Sequence, residues 1–241
     1  LLTIKNSSVK FIDAKHLSSK TTSQTESPVK NLVGNQFSVC SIGVAGENLV
    51  RFASIANDGG RQAGRTGVGA VMGSKNLKAI AIHGTNKTTI YDKSSINRIR
   101  ENLHKKSLGP ATEKYRTLGT ISNLSVFNRL NVLPSYNFQQ TKFATIEPIT
   151  AETTEMTHKS GSAHCANCTI GCEKIFTSRT ESGSTIKSRL EYETAYALGP
   201  LIGISNPDIL IESSNICDQL GLDTISTGAT IAWAMESYEK G

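Results

Sequence analysis

Long apolar runs are missing from this 241-residue sequence. No window approaches the roughly 18 consecutive apolar residues of a membrane-spanning helix, so no membrane span is expected. Aromatic residues make up only 6%. No dense Lys/Arg block and no aromatic stacking motif accompanies the formal net charge of +6, so nucleic-acid binding is not expected. The basic balance still favours anionic partners such as phosphates or acidic protein surfaces. An initiator Met is lacking too. Leu1-Leu2-Thr3-Ile4-Lys5 is too short and wrongly flanked for a signal peptide, and it reads as a strand already in progress, which predicts a further segment upstream. Cysteine is scarce, with five residues: Cys40, Cys165, Cys168, Cys172 and Cys217. An odd count with one tight cluster argues against a secreted disulfide scaffold and for metal binding in a reducing, cytoplasmic setting.

What is present permits an ordinary globular core. Hydrophobic residues are 37% and charged residues 19%, and the length suits one large domain or two smaller ones. Short runs rich in β-branched residues predict strands at Leu2–Lys5, Val9–Ile12, Phe37–Ile42 and Leu77–Ile82. The Ser/Thr/Lys-rich stretch Ser18–Thr25 reads as a loop or surface helix end, and residues 43–76 as Gly-rich and irregular. From about residue 90 the pattern turns helical, with helices expected at Ser94–Lys106, Thr117–Leu130, Glu191–Leu198, Pro207–Leu220 and Ile225–Lys240. Asn206-Pro207-Asp208 supplies a cap, a first-turn Pro and a first-turn acid, and Gly221 a terminator. Ile209, Ile216 and Leu220 share one face of that helix, and Ile225, Ala229, Ala232 and Met235 recur at helical spacing in the next. A strand-rich first part and a helical second part predict an α+β fold. The expected domains are residues 1–90 and 91–241.

Two segments carry chemistry. His164-Cys165-Ala166-Asn167-Cys168-Thr169-Ile170-Gly171-Cys172 has C-x2-C-x3-C spacing. Thiolates this close converge on one centre only if the loop wraps around it, and Gly171 lets backbone approach closely. Four-iron clusters take four thiolates, often three from one short run, and zinc sites use similar spacings. Buried, incidental thiols are the bland reading. A fourth ligand is required, and neither Cys40 nor Cys217 is an obvious one, so it is expected beyond Gly241.

The second segment, Asn57–Asn76, holds six glycines and three cations. Closely spaced glycines free backbone N–H groups to face an anion, and Arg offers bidentate phosphate contacts. Gly73-Ser74-Lys75 lacks the order of a Walker loop, and Gly67–Gly73 does not keep dinucleotide-fingerprint spacing. A phosphate- or pterin-binding loop of another type competes with a Gly-rich turn packed on a sheet.

Taken with Ser41–Val50, Glu191-Tyr192-Glu193 and Cys217–Gly228, these motifs occur in the order found in the aldehyde:ferredoxin oxidoreductase family of tungstopterin enzymes, which the chain resembles from about residue 37 to 241. The resemblance implies a partial chain: the remainder of a β-rich pterin-binding domain, then the start of a helical domain. It implies two pterins holding one tungsten, or less often molybdenum, with Mg alongside, and a 4Fe–4S cluster that passes electrons to ferredoxin. Carried over residue by residue, Arg61, Gln62, Ala63 and Gly64 match the first pterin-binding loop. Asp218, Leu222 and Asp223 match a D-x-x-G-L-D pterin motif. Cys165, Cys168 and Cys172 match three cluster ligands. Glu193 matches the active-site glutamate, whose pKa beside an apolar cofactor pocket would rise and let it shuttle protons near neutrality. The implied reaction is oxidation of an aldehyde to a carboxylic acid. Alternatives are a related tungsten enzyme acting on another carbonyl or an aromatic thioester, and an inactive metal-binding fragment. The chain departs from the family at Gln62, at Thr169, and at Glu212-Ser213-Ser214-Asn215. There the family's E-x-x-H pair, which binds a metal at a homodimer interface, has lost its His.

Overall fold

The computed structural model describes residues 1–180 and 183–241. The chain divides into two compact units: Leu1–Thr88 with Ile216–Thr227, and Thr89–Asn215 with Gly228–Gly241.

The first unit contains β1 (Leu2–Lys5), β2 (Ser8–Phe11), α1 (Thr22–Val33), β3 (Ser38–Ser41), α2 (Val44–Glu47), β4 (Ile55–Asn57), β5 (Arg61–Ala63), α3 (Val68–Ser74) and β6 (Ala79–His83). Its sheet runs β2-β1-β6-β3-β4-β5. β1 and β6 are parallel and the other pairings antiparallel. Alternate residues Val39 and Ser41 of β3, and Ala79 and Ala81 of β6, turn inward, as the two-residue period of a half-buried strand requires. Val39, Ala79 and Ala81 join Leu1, Leu17, Val29 and Phe37 in the core of the unit.

One expectation holds and one changes here. Ser18–Thr25 is a short loop followed by the N-terminal end of α1. Thr21 accepts a hydrogen bond from the Gln24 amide (3.2 Å), and the Gln24 side chain accepts one from the Thr21 amide (3.1 Å), a reciprocal capping box. Residues 43–76 are more regular than expected, because they hold a β4–β5 hairpin that turns at Gly59-Gly60, with short helices on either side.

The second unit begins with α4 (Lys93–Ser107), α5 (Glu113–Thr117), α6 (Asn123–Arg129) and α7 (Ala151–Thr157), continues through β7 (Lys159–Ala163), β8 (Glu173–Arg179) and β9 (Thr185–Arg189), and reaches α8 (Tyr192–Ala197). The helices α9 (Pro207–Leu220) and α10 (Thr224–Glu239) follow, with Ile216–Thr227 belonging to the first unit. The region expected to be helical therefore holds an antiparallel sheet of order β7-β8-β9. The single helix expected at Thr117–Leu130 is broken at Gly119, which has φ +73°. A Cβ there would lie 2.7 Å from the Cys172 carbonyl oxygen and 2.8 Å from Lys174 Cγ.

The face expected to be buried on α9 is also corrected. Ile209 and Ile216 are 46% and 49% exposed, whereas Leu210, Ile211, Ser214 and Cys217 are buried. On α10 Ala232 is buried and Met235 is exposed.

Candidate cofactor cradle and thiol loop

In the first unit the Gly-rich segment divides by what each glycine faces. Gly73 is a packing glycine: a Cβ there would lie 1.8 Å from the Gly46 carbonyl oxygen, so α2 and α3 touch backbone to backbone. Gly64 instead faces open space, where a Cβ would meet only Asp223 Oδ1, at 3.9 Å. The bland reading therefore holds at one end of the segment, and an accessible backbone edge exists at the other.

That edge is met by the D-x-x-G-L-D segment. The Ser54 amide donates to the Gly221 carbonyl (2.8 Å), the Asp223 amide donates to the Phe52 carbonyl (3.0 Å), and Ala53 bridges Leu222. At the other end of the segment, the Thr22 hydroxyl donates to the Asp218 carbonyl (2.8 Å). Asp223 is buried, and its Oδ2 accepts from the Ser226 amide (3.1 Å) and hydroxyl (2.5 Å). It thereby caps α10. The exposed Arg65 guanidinium stands 3.7 Å from the same oxygen. The Gln62 amide oxygen accepts from the buried Ser54 hydroxyl (2.8 Å), so this departure from the family pattern braces the hairpin from within. Arg61, Gln62, Gly64, Asp218 and Leu222 are half-buried around this edge, and Ala63 is exposed.

Sequence reasoning missed Ser54, Arg65 and Ser226. A signal for the last was available: Asp223-Thr224-Ile225-Ser226 has the spacing at which an N-cap carboxylate meets the third helical residue. Nothing near Ser54 marked it.

The thiol loop of the second unit lies between β7 and β8. The Cys168 amide donates to the Cys165 carbonyl (3.0 Å), turning the chain after the first thiol. Gly171 has φ +61°, a left-handed conformation that favours glycine, and the His164 imidazole lies 2.9 Å from where a Cβ would stand. Cys165 is exposed, and Cys168 and Cys172 are half-buried. Burial raises the Cys172 thiol above its ordinary pKa; Glu191, Cys165 and Cys168 add to the rise. Among the described residues no group of three or more His, Cys, Asp or Glu side chains is drawn together closely enough to hold a metal ion. The donor chemistry nevertheless fits an iron–sulfur cluster, with three thiols on one short loop that turns at Gly171. In such sites metal binding and loop ordering are coupled.

Glu191 precedes α8 and its carboxylate accepts from the Thr120 hydroxyl. Glu193 lies in the first turn of α8 and is exposed. Tyr192 between them packs edge-on to Phe127 and against Tyr196. Asn215, which stands where the family pair has His, donates to the Lys187 carbonyl (3.0 Å). All five cysteines are free. Cys217 is buried, which pushes its thiol up to about 11. No helix among the described residues is long and apolar enough to cross a membrane.

The fold and the two segments define a class: an α+β chain with an open backbone edge at Gly64 beside the buried Asp223 carboxylate and, separately, a loop bearing three thiols. The family model for the N-terminal domain of aldehyde ferredoxin oxidoreductase matches residues 1–84, and the model for its domains 2 and 3 matches residues 95–241. The chain belongs to the aldehyde ferredoxin oxidoreductase family. It is 41% identical to the tungsten-containing aldehyde ferredoxin oxidoreductases of Thermococcus kodakarensis and of Pyrococcus furiosus, in each case over 99% of this chain and 39% of the relative. The chain thus spans well under half the length of these relatives. A solved structure, the active-site complex BamBC of benzoyl coenzyme A reductase in complex with 1,5-dienoyl-CoA, superposes with a TM-score of 0.78 at 25% identity, over 100% of this chain and 38% of that one.

Proposed function

We propose that this chain is part of an oxidoreductase that converts an aldehyde to a carboxylic acid and delivers two electrons to ferredoxin. One observation carries the reading: the Gly64–Arg65 turn and the Asp218–Asp223 segment, far apart in sequence, meet at the buried Asp223 carboxylate. A bis-pterin tungsten or molybdenum centre with Mg, together with a 4Fe–4S cluster, would supply the two-electron redox chemistry. Arg61, Gln62, Ala63 and Gly64 offer backbone and side-chain donors to the anionic parts of a pterin cofactor. Asp218 and Asp223 offer acceptors for the N–H-rich edge of its ring, and Leu222 packs beside them. Cys165, Cys168 and Cys172 donate three thiolates to iron. Glu193 accepts the proton released as the aldehyde is oxidised. Free thiols throughout suit a reducing compartment such as the cytoplasm. A homodimer is the expected assembly, without the metal that an E-x-x-H pair would hold.

The test uses the full-length protein purified without oxygen. Iron with labile sulfide, tungsten or molybdenum, and aldehyde-dependent reduction of ferredoxin are the expected results. Zinc alone, without sulfide, would overturn the reading. Glu193→Gln should remove most turnover while leaving metal content unchanged, and full activity in that variant would refute the role given to Glu193. The likeness to benzoyl coenzyme A reductase favours one second reading, an aromatic thioester as substrate, which the same preparation tests with aryl thioesters in place of aldehydes.

A further inference from the structure

We infer that Lys174 is a positioning residue for the thiol loop and holds a fixed positive charge beside it that favours the reduced state of the cluster. The inference rests on the cluster assignment made above for Cys165, Cys168 and Cys172. Lysine is almost never fully buried unless it is paired, yet Lys174 is 2% exposed. Its ammonium donates to the carbonyl oxygens of Arg116 (2.5 Å) and Gly171 (3.1 Å) and to the Ser162 hydroxyl (3.3 Å). None of these partners is a carboxylate.

A buried cation with only neutral partners is unfavourable unless an anion lies near. The carboxylates within electrostatic reach are Glu155 and Glu191. Thiolates ligating iron would concentrate negative charge on the loop that this ammonium already touches. A second role follows from geometry. The Gly171 carbonyl sits at the left-handed turn between the second and third thiols, and the Arg116 carbonyl lies at the end of α5. One ammonium therefore ties the loop to a helix, and the gap left by Gly119 closes over its stem.

Reduction potentials of such clusters depend on net charge and on hydrogen bonds around them. Removing a buried cation should therefore lower the potential. The experiment compares wild type, Lys174→Gln and Lys174→Met in the anaerobically purified holoenzyme, measuring iron and labile sulfide per chain and the cluster midpoint by potentiometry with electron paramagnetic resonance. Lys174→Gln keeps a donor for the Gly171 carbonyl, so iron should stay near the wild-type level. Its reduction equilibrium should fall by about tenfold, equivalent to about 59 mV for a one-electron couple. Lys174→Met should show the same fall and lose part of its iron as well. A loaded Lys174→Gln with an unmoved midpoint overturns the charge role. Full iron in Lys174→Met overturns the positioning role. Unfolding of both variants also overturns the assignment, leaving Lys174 a core residue only. Wild-type protein lacking a cluster would sink the cluster assignment itself, whereas a wild-type cluster with indifferent variants sinks only this inference.

Discussion

Replacing Gly73 with alanine sets two effects of opposite sign against each other. Gly73 lies inside α3, where alanine gains up to about 1 kcal/mol of helix propensity over glycine. The new Cβ, however, would stand 1.8 Å from the Gly46 carbonyl oxygen, and ordinary contact begins near 3.4 Å. The obstacle is backbone rather than a flexible side chain, so α2 and α3 must part or the chain must bend. Overpacking of this kind costs about 1–3 kcal/mol, and a clash this deep belongs at the upper end. The net expectation is a loss of about 2 kcal/mol, roughly 10 °C in the midpoint of a unit of this size. Thermal and denaturant unfolding of Gly73→Ala beside wild type reads it directly. A variant as stable as wild type, or more so, would show that α2 and α3 do not meet as described and that the glycines after Gly64 are not there for packing.

Asp223→Ala should lose about 1 kcal/mol with the α10 cap, while Asp223→Asn, which keeps a capping oxygen, should unfold within about 0.5 kcal/mol of wild type. Both should bind less tungsten. The exposed Arg65 partner adds little to either figure, and an Ala variant of unchanged stability would contradict the cap. Cys217 gives a pH signature. Its folded thiol is raised to about 11 against about 8.5 in an unfolded chain, so the stability it contributes is fully present below the unfolded value and is lost as pH rises through the folded one. Between those values wild type should lose about 1.4 kcal/mol per pH unit relative to Cys217→Ala. Parallel denaturation curves for the two proteins across that range would refute the assignment.

The elements legible in the sequence were those whose signals are local. The Asn206 side chain accepts from the amides of Asp208 and Ile209, and α9 runs over the residues its cap, proline and terminating glycine delimit. Its buried face was not legible, because Leu210 and Ile211 share it with the small Ser214 and Cys217, while helical spacing of large apolar residues selects Ile209, Ile216 and Leu220. The body of α1 beyond Thr25 escaped notice because small Thr22, Thr25 and Val29 are what it buries. The β7-β8-β9 sheet escaped because Lys159–Ala163 and Thr185–Arg189 are short and polar. At the site, thiol spacing and glycine density stood out at once. What the sequence did not reveal was which glycines seal helices together and which leave an edge open, since that depends on the carbonyl opposite each one. The buried Lys174 was equally silent, because nothing adjacent in the chain distinguishes it from a surface lysine.

One feature of the first unit bears on how it is made. Its cradle is closed by a return of the chain, with the Thr22 hydroxyl held by the Asp218 carbonyl 196 residues later. During synthesis the Gly64 edge therefore waits, lacking its carboxylate wall, until the entire second set of strands and the cysteines have emerged. Contacts of such long sequence separation form late and slowly. Binding of the proposed cofactor at this edge would thus be tied to the last stretch of the segment up to Thr227, and a ribosome stalled before that point would display the edge with one side missing.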